Sequence, residues 1–228
     1  TTQHEYQLIE NKGELRQLCD FFLTKEFVSI DTETTSTDAI SAELVGLSFS
    51  AEESKAFYVP VPANYEEALK VVQIFKPLYE SDKIMKIGQN IKYDYEVLTR
   101  YGVTIQGKMF DTMIAHYLIQ PELHHNMDYL AETLLGYQTI HIEELLGPKG
   151  KKQKNMCDVS PADIYEYAAE DADITLRLKN VLEPRLKELG VEELFWNIEM
   201  PLVRVLADME LNGVCLDTEA LQDTSKIF

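Results

Sequence analysis

Carboxylates occur at three places where the sequence pattern predicts buried structure. They are the pair Asp31 and Glu33, then Asp94, and finally Asp171. A carboxylate on a core-facing position is costly unless a cation or hydrogen bonds compensate it. Several such acids along one chain therefore predict a shared metal centre. Oxygen ligands without Cys or His favour Mg²⁺ or Mn²⁺.

The first pair ends a predicted β-strand near residues 26–32. Alternation along the strand sends Phe27, Ser29, Asp31 and Glu33 to one face if the strand continues. Residues two apart have Cα atoms about 6.6 Å apart, so both carboxylates can reach one divalent ion. Without an ion their like charges would repel. The alternative is an ordinary solvated strand end followed by a polar turn at residues 34–38.

Asp94 lies in a helix predicted over residues 91–100, after a predicted strand near 84–87. Asn90 is predicted to cap the helix N-terminus. The i, i+3, i+4, i+7 rule places Asp94 in the apolar stripe of this helix. That stripe comprises Ile91, Asp94, Tyr95 and Leu98. The alternative is an acid near a helix N-terminus that the helix dipole stabilises.

Tyr167 and Asp171 lie in a long helix predicted from Ser160-Pro161 to about Leu189. They are one turn apart on the same predicted buried side, so the phenol is a candidate for orienting a water molecule. The alternative is a core tyrosine with a solvated hydroxyl. Asp173 lies about 200° round the helix from Asp171 and is predicted to be solvated. The predicted core face comprises Ile164, Tyr167, Ala168, Asp171, Ile174, Thr175 and Leu178.

These motifs resemble those of a known family. Residues 31–34, 88–94 and 167–173 are similar to the three exonuclease motifs of bacterial DNA polymerase I, the tyrosine subclass of the DEDD 3'-5' exonucleases. Residues 44–49, 110–113 and 127–132 resemble its connecting segments. Ribonuclease D and the RecQ-associated exonucleases share the acids, but the Gly-Gln-Asn-x-Lys-Tyr-Asp and Tyr-Ala-Ala-Glu-Asp-Ala-Asp forms resemble the polymerase version more.

The resemblance implies a ribonuclease H-like α/β fold, with a mixed five-stranded sheet flanked by helices. Strands are predicted near 26–32, 43–50, 55–61 and 84–87, and a helix near 65–80. This order is consistent with three antiparallel strands and a helical crossover to a parallel strand. The exonuclease domain is expected over residues 1–190. Residues 191–228 are expected to form a connecting helix and the truncated start of a polymerase domain, because residues 209–217 resemble its opening segment.

The resemblance also implies a mechanism with two Mg²⁺ or Mn²⁺ ions, roughly 4 Å apart, that clamp the attacking and leaving oxygens. Asp31, Glu33 and Asp171 would hold the first ion. Asp31 would also reach the second, which Asp94 would contact through water. Tyr167 and Glu33 would orient the attacking water. The product would be a 5'-nucleoside monophosphate released from the 3' end of single-stranded DNA, which is proofreading in an intact polymerase.

Six further residues are expected to contact the DNA substrate. Three of them depart from the family pattern: Thr37 replaces a common leucine wedge, Ile142 an aromatic that often stacks, and His124 an arginine that often contacts phosphate. These changes affect affinity and rate more than the chemistry, because none is a metal ligand. The expected substrate contacts are Thr37, Gln89, Asn90, Lys92, His124 and Ile142.

The composition favours a soluble, cytoplasmic enzyme without a membrane partner, and we expect the protein to be a monomer. The 228 residues are 45% hydrophobic, and no signal-peptide pattern or long apolar run occurs. The three cysteines lack a C-x-x-C pair, which predicts reduced thiols. A net charge of −18 argues against strong general affinity for DNA. One basic segment, residues 149–154, is either a strand contact or a solvated loop.

Two rival functions come from other classes. The first is a non-catalytic or catalytically weak scaffold, since some polymerases of this family keep the fold after losing the acids. All four acids and the tyrosine are present here, which argues against it. The second is a ribonuclease D-like 3'-5' exoribonuclease. The polymerase-like segment after Met209 argues against that function, and a comparison of DNA with RNA substrates would distinguish the two.

Overall fold

A computed structural model describes residues 4–150 and 152–227. Its strands are β1 (Glu5–Leu8), β2 (Phe27–Thr34), β3 (Leu44–Glu52), β4 (Lys55–Pro60), β5 (Met85–Gly88) and β6 (Met109–Asp111). Its helices are α1 (Lys12–Phe22), α2 (Tyr65–Tyr79), α3 (Ile91–Arg100), α4 (Thr112–Ile119), α5 (Met127–Leu130), α6 (Ile142–Leu146), α7 (Pro161–Glu188), α8 (Glu192–Leu194), α9 (Met200–Asn212) and α10 (Thr218–Ile227). Within the described ranges, no helix has both the length and the apolar character needed to cross a membrane.

The strands form one mixed sheet in the order β1-β4-β3-β2-β5-β6. Strands β2, β3 and β4 are antiparallel neighbours. Helix α2 then crosses over to β5, which pairs parallel to the other side of β2. This confirms the predicted order of three antiparallel strands followed by a helical crossover to a parallel strand. Strand β2 therefore lies inside the sheet, with a partner on each side.

The sheet has six strands rather than the expected five, although the α/β, ribonuclease H-like fold class is confirmed. The two strands that the sequence pattern did not predict are the outer ones, β1 and β6. They contain four and three residues, which is too few to show a clear period of two. Each pairs in parallel with a strand distant in sequence, so the sequence contains no hairpin turn that would indicate the pairing.

Strand β2 places two acids on the face that α7 covers. Val28 and Ile30 are buried in the main hydrophobic core. Alternation then sends Asp31 and Glu33 to the opposite face, and the strand continues to Thr34 as the expected geometry requires. Helix α7 packs across β1 to β5, so its residues meet this acidic end of β2.

Helix α7 is buried on more than one side, which makes the prediction for Asp173 wrong. The helix begins at Pro161 and ends at Glu188, close to the predicted limits. Asp173 is 1% exposed, and its carboxylate accepts hydrogen bonds from the Tyr6 hydroxyl at 2.8 Å and the Ser54 amide at 2.7 Å. Strand β1 and the β3–β4 turn supply these donors. Helical periodicity could not reveal this second covered side.

The start of α3 also differs from its prediction. Asn90 adopts a left-handed conformation with φ 62° and its side chain caps nothing. Instead the buried Asp111 carboxylate accepts the Ile91 amide at 2.7 Å through one oxygen. Its other oxygen accepts the Met113 and Ile114 amides at 2.8 and 3.0 Å. A single carboxylate therefore caps both α3 and α4, and it fixes the helix that carries Asp94.

We expect Asp111→Ala to destabilise the fold by about 2 to 3 kcal/mol, because two helix ends lose their acceptor and buried amides are left unpaired. Asp111→Asn is the matched control, since its amide oxygen can still accept at one helix end. Chemical denaturation should rank the unmodified chain first, the asparagine variant second and the alanine variant last. Equal stabilities for the two variants would contradict the double-cap interpretation.

The helices after residue 190 share the main core with the sheet. Phe195 is fully buried, with its ring centroid 4.8 Å from that of Phe110. Val203 and Ala207 of α9 belong to the same core cluster, and α9 packs along α3. The division at residue 190 stays a prediction. Residues 1–3, Lys151 and Phe228, which the sequence-based domain limits and basic segment include, lie outside the described residues.

Candidate active site

Three of the predicted acids come together where β2 meets α7. Carboxylate oxygens of Asp31, Glu33 and Asp171 all lie within 4.8 Å of one another. Strand alternation supplies the first two, and the packing of α7 across the sheet supplies the third. The group spans two elements far apart in sequence, so tertiary structure alone brings it together.

Burial raises the pKa of each carboxyl in this group, and repulsion between carboxylates raises the pKa values of Glu33 and Asp171 further. Burial raises the pKa of Asp31 to about 6. The pKa values of Glu33 and Asp171 lie well above their usual range, first because of burial and then because of neighbouring carboxylates. Glu33 is 6% exposed, and its Oε1 atom has no hydrogen-bond partner among the described residues. An unpaired buried oxygen within a set of oxygen donors fits a divalent cation.

Asp94 lies beside this group and is held by a residue that the sequence analysis missed. The Thr32 hydroxyl donates to Asp94 Oδ1 at 2.7 Å, and Asp94 is 2% exposed. Burial, followed by the charge of Asp31, raises the pKa of Asp94. Alternation places Thr32 on the opposite face from the acids of β2. The sequence did contain a signal for this role, because Thr32 is a polar residue on the strand face that carries the apolar Val28 and Ile30.

Tyr167 lies one helical turn before Asp171, as predicted. Burial raises the pKa of its phenol, and the Asp171 carboxylate raises it further. The phenol therefore stays protonated across the physiological range. A neutral hydroxyl beside buried carboxylates can donate one hydrogen bond and accept another, which is what the orientation of a water molecule requires.

A cavity of about 740 Å³ opens at this group, within the range of about 300–1,000 Å³ common for ligand sites. Among the expected substrate contacts, Thr37, Asn90 and Ile142 line it, together with Asp31, Glu33 and Tyr167. Its wall also includes residues not singled out as contacts from the sequence. They include Tyr93, Leu146, Asn155 and Met156, together with Thr34 at the end of β2 and residues 35–36 that follow it.

The other three expected substrate contacts do not line this cavity. Gln89 Nε2 donates to the His125 carbonyl at 2.7 Å, so this side chain ties the end of β5 to the loop before α5. The Lys92 ammonium pairs with Glu210 of α9. The His124 ring packs edge-on against Tyr129, with centroids 5.7 Å apart. Their roles in substrate binding stay predictions.

Comparison with known proteins supports this architecture. A sequence model described as 3'-5' exonuclease matches residues 6–187. The chain is 38% identical over 225 residues to DNA polymerase I of Borreliella burgdorferi, and the alignment covers 97% of this chain and 24% of that protein. It is 40% identical over 206 residues to DNA polymerase I of Pseudomonas aeruginosa, and this alignment covers 86% of this chain and 22% of that protein. The chain spans about a quarter of the length of these relatives.

A solved structure shows the same fold at lower identity. Brucella melitensis NrnC with bound Mg²⁺ superposes with a TM-score of 0.70 and 22% identity, over 93% of this chain and 95% of that one. At this identity the likeness concerns the fold alone. The family match covers most of the sequence and includes all four acids and the tyrosine. The chain therefore belongs to the 3'-5' exonuclease family, as an exonuclease domain of the DNA polymerase I type.

Proposed function

We propose that this domain hydrolyses the 3'-terminal phosphodiester of single-stranded DNA in a metal-dependent reaction and releases 5'-nucleoside monophosphates. The observation that carries the proposal is the convergence of three carboxylates within 4.8 Å, beside a cavity that Asp31, Glu33 and Tyr167 line. Such a group of like charges, with Glu33 buried and Asp31 and Asp171 partly buried, is costly unless it binds a cation. The family membership supports the direction of attack from the 3' end.

Asp31, Glu33 and Asp171 would hold Mg²⁺ or Mn²⁺, and Asp94 would assist from the adjacent helix. When bound, two such ions neutralise charge on the scissile phosphate and lower the pKa of the attacking water. Asp31 has the central place in this arrangement, because its charge acts on Glu33, Asp94 and Asp171 alike. The hydrogen bond from Thr32 to Asp94 Oδ1 would hold the Asp94 side chain in place.

Tyr167 would orient the attacking water from α7, one turn before Asp171. Its raised pKa keeps the proton on the phenol, so the residue positions the nucleophile without acting as the base. Glu33 would accept a second hydrogen bond from the same water through its unpaired Oε1. The Thr37 and Ile142 side chains on the cavity wall would then contact the terminal nucleotide.

In its relatives this domain is part of a much longer DNA polymerase I. We propose that the polymerase domain of the same parent chain is its partner, and that the reaction removes misincorporated nucleotides. That domain would also supply basic surface, which an exonuclease domain with a net charge of −18 lacks. We propose that the domain acts as a monomer in the cytoplasm.

The decisive experiment follows the degradation of a 5'-labelled single-stranded DNA with Mg²⁺, with Mn²⁺ and with a chelator, beside RNA of the same sequence. We expect a metal-dependent ladder that shortens from the 3' end of DNA. Faster shortening of the RNA would favour the ribonuclease D-like alternative. Intact DNA despite measured metal binding would favour the scaffold alternative.

A further inference from the structure

The charged residues that line the active-site cavity come from two separate segments of the chain. Its acidic lining residues are Asp31 and Glu33, at the end of β2. Its basic lining residues are Lys149 and Lys154, which both belong to the loop between α6 and α7. In a chain with 39 acidic and 21 basic residues, two lysines that line the same cavity as the acids are a local reversal of charge.

The loop that carries these lysines is anchored rather than freely extended. The Lys154 amide donates to the Leu146 carbonyl at 2.9 Å, which closes the base of the loop. The Asn155 side chain donates to the Thr35 carbonyl at 2.8 Å, so the loop is tied to the end of β2. Met156 is buried in a small apolar cluster with Tyr58 and Ala168. The backbone at Lys154 is therefore held at a defined distance from the acids.

The two lysines differ in their present partners. The Lys149 ammonium lies 3.3 Å from Glu143 of α6, although most of its side chain is exposed. No ion pair of Lys154 is present within residues 4–150 and 152–227, and its side chain is exposed. Lys154 is thus the cation with an ammonium group available for a ligand, and Lys149 is available once its surface pair with Glu143 opens. Such surface pairs are weak.

We infer that Lys154, assisted by Lys149, binds a backbone phosphate of the single strand upstream of its 3'-terminal nucleotide. This inference rests on the proposed function. The scissile phosphate belongs at the acids, because that is where metal would neutralise it. A second phosphate, bound by the lysines, must belong to a preceding nucleotide, because the 3'-terminal nucleotide carries only the scissile phosphate. A lysine ammonium suits this role, since it binds phosphate as a point charge without reading the base.

The test measures binding separately from cleavage. A 5'-fluorescein oligothymidylate is titrated with the Asp31→Asn protein at several salt concentrations, with and without Lys154→Ala or Lys154→Glu. We expect Lys154→Ala to weaken binding about three- to tenfold and to reduce the log–log salt slope by about 0.7, the contribution of one phosphate contact on single strands. Lys154→Glu should weaken it further, while melting temperatures stay unchanged because the side chain is exposed.

Lys70→Ala is the matched control, because it removes the same charge from an exposed position on α2 outside the cavity. Equal losses in the Lys70 and Lys154 variants, an unchanged salt slope, or no measurable binding of the oligonucleotide would each overturn the inference. Loss of 3' cleavage with Lys154-dependent binding retained would instead contradict the proposed function alone. Normal cleavage with Lys154-independent binding would contradict this inference alone.

Discussion

Replacing Asp31 with alanine is expected to reduce hydrolysis of the 3' end of DNA by about a thousandfold or more, which corresponds to several kcal/mol of lost transition-state stabilisation. Asp31 is the acid whose charge reaches the other three, so its removal disrupts the whole ligand set. Single-turnover rates on a 5'-labelled strand, at saturating metal, give the most direct measurement.

Two further variants make this result specific. Tyr167→Phe should lose less, about ten- to a hundredfold, because it removes one hydrogen bond to the water and leaves all four carboxylates. Glu188→Gln, at the exposed end of α7, removes an equal charge away from the site and should keep full activity. A folded Asp31→Ala protein that cleaves at the unmodified rate would contradict the assignment of the acids.

The second large effect is the dependence of the free energy of unfolding on pH in the absence of metal. The carboxyls of Asp31, Glu33, Asp94 and Asp171 have pKa values raised above the usual value of about 4. Between about pH 4 and those raised values, the folded chain binds more protons than the unfolded chain. The free energy of unfolding therefore falls as pH rises through that window, which for Asp31 extends to about pH 6.

We expect the metal-free protein to melt at a lower temperature at pH 8 than at pH 5, and Asp31→Asn to flatten this dependence. The asparagine variant should be more stable than the unmodified chain at pH 8, because one buried charge and its repulsions are removed. Comparing the two proteins by differential scanning calorimetry in chelator cancels the contributions of groups elsewhere. A pH profile that the substitution leaves unchanged would contradict this account.

Metal should reverse the loss of stability. A ligand that binds only the folded state stabilises it by about 2.7 kcal/mol at a hundredfold excess over its Kd. Mg²⁺ or Mn²⁺ should therefore raise the melting temperature at pH 8 more than at pH 5, where protons compete for the same oxygens. Glu188→Gln should show the same rise as the unmodified chain, whereas Asp31→Asn should show a smaller one.

The local motifs could be predicted from the sequence because they depend on short-range periodicity. Alternation along β2 predicted that Asp31 and Glu33 share a face, and the 3.6-residue period predicted that Tyr167 and Asp171 share a side of α7. The structure agrees with the predicted helices α3 and α7 and with the predicted crossover from the antiparallel strands to β5. The family resemblance then supplied the expected roles, which concern residues far apart in the chain.

Three features needed the folded chain. Asp173 has the sequence environment of a solvated helix residue, but β1 and the β3–β4 turn cover it. Asp111 caps both α3 and α4, while Asn90, an equally good cap by residue type that directly precedes α3, adopts a left-handed conformation. Strands β1 and β6 are too short for periodicity and find their partners only through non-local pairing.

The sequence alone therefore determined which residues are chemically capable and on which face of its own element each one lies, because these depend on periods of two and 3.6 residues. Tertiary structure decided which faces meet, and hence that Asp31, Glu33 and Asp171 converge while Lys92 pairs with Glu210 away from the cavity. It also decided that Lys149 and Lys154 line the same cavity as Asp31 and Glu33. Contacts between distant segments depend on packing of the whole sheet and its helices, which no local pattern encodes.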